Sequence, residues 1–396
     1  MKLEKFKEKN NKRRFIVIFT VCCIFLLAGV LLYNSFAVFT EEKEFNVING
    51  QYQDPGDLYF AVYVDGEITN TIPSKDSGYT LDTEKSSCTN GATISWNNES
   101  WSALINLSNY SAGNMSRTKC TMYFVEASFC DLNPDAATCT ILSLADSSSE
   151  LVYDGTSDNN LRYIGTDPNN YVSFNKGLWR IIGVMNNIDD GTGKKKTRIK
   201  IIKEEPYSSS MAWDTDNTND WSKSSLQEEL NTTYLSSITS PYKEMISDAV
   251  WNLGGLSSTS NTTSTFYSAE RGDTVYTGRP TTWTGSIGLM YPSDYGYATS
   301  GGDIGRDTCL SYNLNDWDSY TDCYTNDWIY YGSMTNWTLT SLSSSSGQSC
   351  VISRFATVNT SSANTTWRFF PNIYLTSDVK ITGGDGSHDN PFTLSL

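Results

Sequence analysis

Val172-Ser173-Phe174-Asn175-Lys176-Gly177-Leu178-Trp179-Arg180-Ile181-Ile182-Gly183-Val184-Met185 is the stretch on which the fold turns. β-Branched and aromatic residues crowd it, and it reads as two strands, Val172–Phe174 and Leu178–Met185. The polar stretch Asn186–Lys196 then turns the chain around Asp190-Gly191 into Thr197-Arg198-Ile199-Lys200-Ile201-Ile202, giving an antiparallel hairpin. Trp179 sits mid-strand between Leu178 and Ile181 and is expected in the core.

Toward the C-terminus the pattern changes to helix. A short helix is expected near Ser222–Leu230. A second is expected from Ser240-Pro241, with Ser as cap and Pro at the first helical position. Its apolar residues Tyr242, Met245, Ile246, Ala249, Val250 and Leu253 recur at helical spacing, and Gly254-Gly255 stops it. The remainder is loop-rich with short strands, ending in Asn372–Leu375 and Val379–Ile381. Residues 151–396 therefore read as one larger α+β domain.

Toward the N-terminus, residues 128–150 form an Asp- and Ser-rich connector, and residues 41–127 a small β domain, read as a sandwich. In that domain Leu58–Val64 is a strand closed by the Asp65-Gly66 hairpin signal. Ala92–Trp96 and Trp101–Leu107 are also strand-like. Lys119–Phe124 ends the domain, with Cys120 and Met122 on one face.

Residues 1–14 are a basic stub, expected to be cytoplasmic, carrying Lys2, Lys5, Lys7, Lys9, Lys12, Arg13 and Arg14 against Glu4 and Glu8. No charge follows from Phe15 to Tyr33. Residues 15–37 thus read as a transmembrane helix, either a single-pass anchor in the lipid bilayer or a signal cut after Ala37. The flanking charge places the N-terminus in the cytoplasm and the C-terminal region outside, at the cell membrane.

Outside that segment lie seven cysteines, and in an oxidising compartment close pairs read as disulfides. The expected pairs are Cys88–Cys120, Cys130–Cys139 and Cys309–Cys323, leaving Cys350 over. The chain carries a formal net charge of −15, which sets nucleic acid aside as a partner. Aromatic residues make up 13% and charged residues 18%, the balance of a β-rich extracellular protein and not of a disordered tail.

Two resemblances follow from specific residues. Asn34-Ser35-Phe36-Ala37-Val38-Phe39-Thr40 resembles the membrane-proximal signature of camelysin-like and biofilm-fibre precursor proteins of Gram-positive bacteria. The stretch quoted first, the Trp221–Leu230 helix, Gly288–Tyr295, and Asn326–Tyr330 with Trp337–Thr340 are similar to a domain of surface proteins from gut Firmicutes and Mollicute-like bacteria. That family has no established activity, and its layout implies the C-type-lectin-like fold shared with formylglycine-generating enzymes. Ser341 stands where the family has Pro, and Phe370, not Arg, precedes Pro371. The expected fold class is accordingly α+β: a single N-terminal transmembrane helix, a small β-sandwich, then a loop-rich C-type-lectin-like domain.

Chemistry is constrained by a single histidine, His388, in a C-terminal turn. Without a second imidazole, no Ser-His-Asp or Cys-His arrangement fits the body of the fold, and no catalytic residue, metal or cofactor is assigned. Asp214–Asp220 offers alternating oxygen ligands but lacks the Gly and Glu of a calcium loop. Arg271, Arg279 and Arg306 with Asp294, beside Tyr291 and Tyr295, form the candidate ligand site, suited to a glycan or protein ligand. The competing reading is that these arginines pin long loops through carbonyls and carboxylates. A membrane-anchored binding or adhesion module is the expected function. The alternatives are an enzyme of carboxylate-pair or thiol/metal type, and a fibre or envelope subunit.

Overall fold

The computed structural model describes residues 58–396, apart from 70, 75–76, 98–99, 107–117 and 208. Within it the chain divides into two units, the second beginning at Asn133.

In the first unit, Leu58–Val64 pairs parallel with Thr118–Glu126, from Leu58↔Thr118 to Val64↔Phe124. Asp65 and Gly66 both take positive φ, 50° and 84°, so the strand reverses in two residues into Glu67–Thr69. Tyr79–Leu81 and Ser87–Cys88 flank the other side of Thr118–Glu126, completing a five-stranded sheet. Alternation along Thr118–Glu126 sends Cys120, Met122 and Phe124 to one face, each 1% exposed or less. A two-stranded hairpin, Thr93–Asn97 with Ser102–Asn106, contributes Ile94, Trp96 and Ala103 to the same core as Val62, Leu81, Met122 and Phe124. Cys88 faces Cys120 directly in register and is bonded to it, with Cα atoms 4.0 Å apart.

The second unit is organised by the hairpin of Gly177–Asp189 and Lys195–Lys203. Tyr171–Phe174 extends it on one side and Asn372–Leu375 on the other, and the sheet reaches ten strands. Helices and loops cover both faces, so Ile181, Ile182, Val184 and Met185 are all buried although they alternate in direction. That is why the run is continuously apolar and not alternating. Gly183 is required where Leu161–Tyr163 crosses: a Cβ there would lie 2.1 Å from the Leu161 carbonyl oxygen. A three-stranded sheet of Asn336–Ser341, Gln348–Ile352 and Val358–Ser362 packs into the same core. Cys309 and Cys323 are disulfide-bonded, with Cα atoms 5.4 Å apart. Cys139 is disulfide-bonded too, as is Cys130 of the first unit, and Cys350 is a buried free thiol.

Three expectations are corrected. The fold class is corrected first: the described residues form a mixed, strand-rich α and β structure, and no helix in it is long and apolar enough to cross a membrane. Two of its helices, Ala137–Leu144 and Thr263–Glu270, have eight residues each, about 12 Å of rise against the roughly 30 Å of a bilayer core. Residues 15–37, where the transmembrane helix was placed, lie outside the described residues. The single-pass placement at the cell membrane is corrected with it, since no described helix is long and apolar enough to carry it.

The third correction is local. The helix expected from Ser240 is one 3₁₀ turn, Tyr242–Met245, followed by the strands Ile246–Ser247 and Ala249–Asn252. Ile246 pairs with Leu375, and Ala249–Asn252 pairs with Thr282–Gly285. The apolar residues fit a period of 3.6, but Ala249, Trp251 and Leu253 also fit a period of two. Strand pairing decided between them, because it buries Trp251 completely whereas the helical stripe left it off the core face.

Candidate functional site

Asp294 lies in the short helix Pro292–Tyr297, begun by Pro at its first position. Its carboxylate is buried and takes three donors. Arg162 Nη1 donates to Oδ1 at 2.7 Å, Lys200 Nζ to Oδ2 at 2.6 Å, and the Tyr291 backbone N–H to Oδ2 at 2.9 Å. Arg162 also donates through Nε to Asp154 Oδ2 at 2.9 Å. Asp154 is held in turn by Thr156 and by Asn160.

Burial opposes ionisation of every member, but the partners outweigh it for the carboxylates. Asp294 is held below the usual carboxylate range by Lys200 and Arg162, and Asp154 by Arg162. Burial lowers Lys200, with Asp294 opposing.

Glu270 ends the helix Thr263–Glu270 beside this cluster and is fully buried. It accepts from the Ser293 N–H at 3.1 Å and from the Ser293 hydroxyl, and Arg271 Nη1 lies 3.4 Å away. Burial pushes Glu270 up to about 7 against the pull of Arg271. Arg271 stacks on Tyr267, 3.4 Å from the ring centroid, and faces Asp158 at 3.4 Å.

Of the six residues expected to bind ligand, Arg271, Tyr291 and Asp294 meet in this interior network, with Arg271 5.6 Å from the Tyr291 ring centroid. Tyr295 is elsewhere in the core, packed on Trp317 and donating to the Ala356 carbonyl at 2.8 Å. Arg306 donates to the carbonyls of Thr299 and Tyr297, fastening its loop. Arg279 stands apart, at a recess. Arg162, Lys200 and Glu270 were missed. The available signal was a lone cation inside an apolar strand, as in Leu161-Arg162-Tyr163 and Ile199-Lys200-Ile201, which burial forces to find a counterion.

The recess around Arg279 is small, with room for about one water molecule, and is walled by Trp221, Leu253, Val275, Tyr276, Pro280 and Leu342. Arg279 Nε donates to Asn219 Oδ1 at 3.3 Å and Nη2 to the Ser346 carbonyl at 3.2 Å. Its Nη1 stands 3.7 Å from Asp220 Oδ2, too far for a hydrogen bond. The buried indole N–H of Trp221 has no acceptor among the described residues. Asn219 also ties this loop to the carbonyls of Leu342, Ser345 and Gln348. Asp214, first of the alternating oxygens, accepts from Thr218 and Ser225 and so closes a turn. No family model, curated protein or solved structure matches the chain.

Proposed function

We propose that this chain is a disulfide-bonded binding protein of an oxidising compartment, and that its ligand, a glycan or a peptide, lies across the mouth of the recess at Arg279. Disulfides persist where thiols are not kept reduced, which supports the compartment. The observation carrying the site is the loose ion pair of Arg279 Nη1 with Asp220 Oδ2, 3.7 Å apart, in which the arginine side chain remains 22% exposed. The ion pair is too long to be a hydrogen bond, so the exposed guanidinium keeps donor capacity for a ligand hydroxyl or carbonyl arriving from solvent. Half-buried Tyr276 and Pro280 supply an apolar wall beside it. The charged groups of the interior network, by contrast, already hold one another.

A combined glycan and peptide array probed with the full chain and with Arg279→Ala tests this reading. Ligands retained by the native protein and weakened at least tenfold by Arg279→Ala support it. An array on which every bound ligand is indifferent to Arg279→Ala, or on which nothing binds, refutes it.

A further inference from the structure

Lys200 Nζ and Asp294 Oδ2 lie 2.6 Å apart, on side chains 1% and 2% exposed. Aromatic rings surround the amine: the centroids of Tyr291, Trp251 and Tyr374 are 4.6, 5.4 and 5.7 Å from Nζ. Arg162 Nη1 donates to the other carboxylate oxygen, Oδ1, and keeps Asp154 as a second counterion. The four charged groups balance, and they would still balance if Lys200 and Asp294 were both neutral.

We propose that Lys200 and Asp294 become joined by an intramolecular isopeptide bond between Nζ and Cγ, formed by the folded chain itself. The reaction is a condensation that needs no further reactant. One proton passes from the ammonium to Oδ2 along the 2.6 Å hydrogen bond, giving a neutral amine beside a neutral carboxylic acid. The transfer is uphill, because Lys200 and Arg162 favour the charged carboxylate, and the burial that lowers Lys200 offsets part of that cost. The amine lone pair then attacks Cγ, and the charge developing on Oδ1 meets the guanidinium of Arg162. The Nζ–Cγ bond forms and the Cγ–Oδ2 bond breaks. Oδ2 departs as water with two of the three original ammonium protons, leaving a neutral amide. Holding the two groups in contact replaces a bimolecular encounter, an advantage on the order of 10⁵ M or more in effective concentration. The product removes a buried ion pair and leaves Arg162 matched by Asp154.

The test is peptide mass spectrometry of the full-length native chain, reduced, alkylated and digested with trypsin. The expected result is resistance to cleavage after Lys200. It is accompanied by a branched peptide joining the Lys200 and Asp294 segments, lighter by one water than the two linear segments together. That species is absent from Lys200→Arg, which cannot form the amide. Quantitative cleavage after Lys200, with the Asp294 peptide recovered at its full linear mass, overturns the proposal. The decisive readout is on the native chain and does not depend on how any variant folds.

Discussion

Glu270 is a carboxyl whose folded state holds its proton more tightly than the unfolded chain does, because burial raises it from 4.5 to about 7. Between those values the folded state binds more protons, so stability is fully present below pH 4.5 and falls as pH rises through 7. The span corresponds to at most roughly 3 kcal/mol. Chemical denaturation at pH 5 and pH 8 should show the native protein losing stability at the higher pH and Glu270→Gln losing markedly less. Parallel pH profiles for the two would refute the assignment. Arg162 acts in the opposite sense, holding Asp154 in its charged form. Arg162→Leu leaves the buried Asp154 carboxylate without its cation. We expect it to cost about 3–5 kcal/mol, read as a lowered urea midpoint. A loss under 1 kcal/mol would mean that water reaches the cluster.

The hairpin of Gly177–Asp189 and Lys195–Lys203 is the element around which the second unit is built. Trp179 anchors its first strand, 1% exposed and set edge-on against Phe174 at 5.3 Å. Trp179→Ala should cost about 3–5 kcal/mol, because sheet neighbours fixed on both sides cannot collapse into the space. Thermal melting that barely moves would place this side chain on a surface. The segment Ile246–Asn252 shows the limit of reading elements one at a time. Its helical periodicity is real, but the open hydrogen-bonding edges of Asn372–Leu375 and Thr282–Gly285 take the backbone as strand. Pairing satisfies backbone groups that a short helix would leave open at its ends.

At the scale of the whole molecule, the two units differ in what supports them. Among the described residues the first has few buried apolar side chains, including Val62, Leu81, Met122 and Phe124, whereas the second buries a large aromatic core. The Cys88–Cys120 bridge, with a separation of 32 residues, should therefore contribute about 3–4 kcal/mol to a unit with little else to spare. Mild reduction should strip amide-exchange protection from Thr118–Glu126 while Gly177–Asp189 stays protected. Protection of Thr118–Glu126 that survives reduction would show that the first unit does not depend on its bridge.

What the sequence by itself determined is whatever a short window encodes. The Asp65-Gly66 reversal, the strands of the Asp190-Gly191 hairpin, and the Cys88–Cys120 and Cys309–Cys323 pairs follow from turn chemistry, β-branching and spacing. Only the tertiary structure decided that Lys200 and Arg162 meet Asp294, across separations of 94 and 132 residues, and that Leu58–Val64 lies parallel to Thr118–Glu126. It also moved Arg279 away from Arg271 and turned Arg306 toward backbone carbonyls. The reason is physical. Periodicity and turns are local free-energy preferences, whereas a buried charge is satisfied by whichever distant partner the packing of the core brings within hydrogen-bond reach.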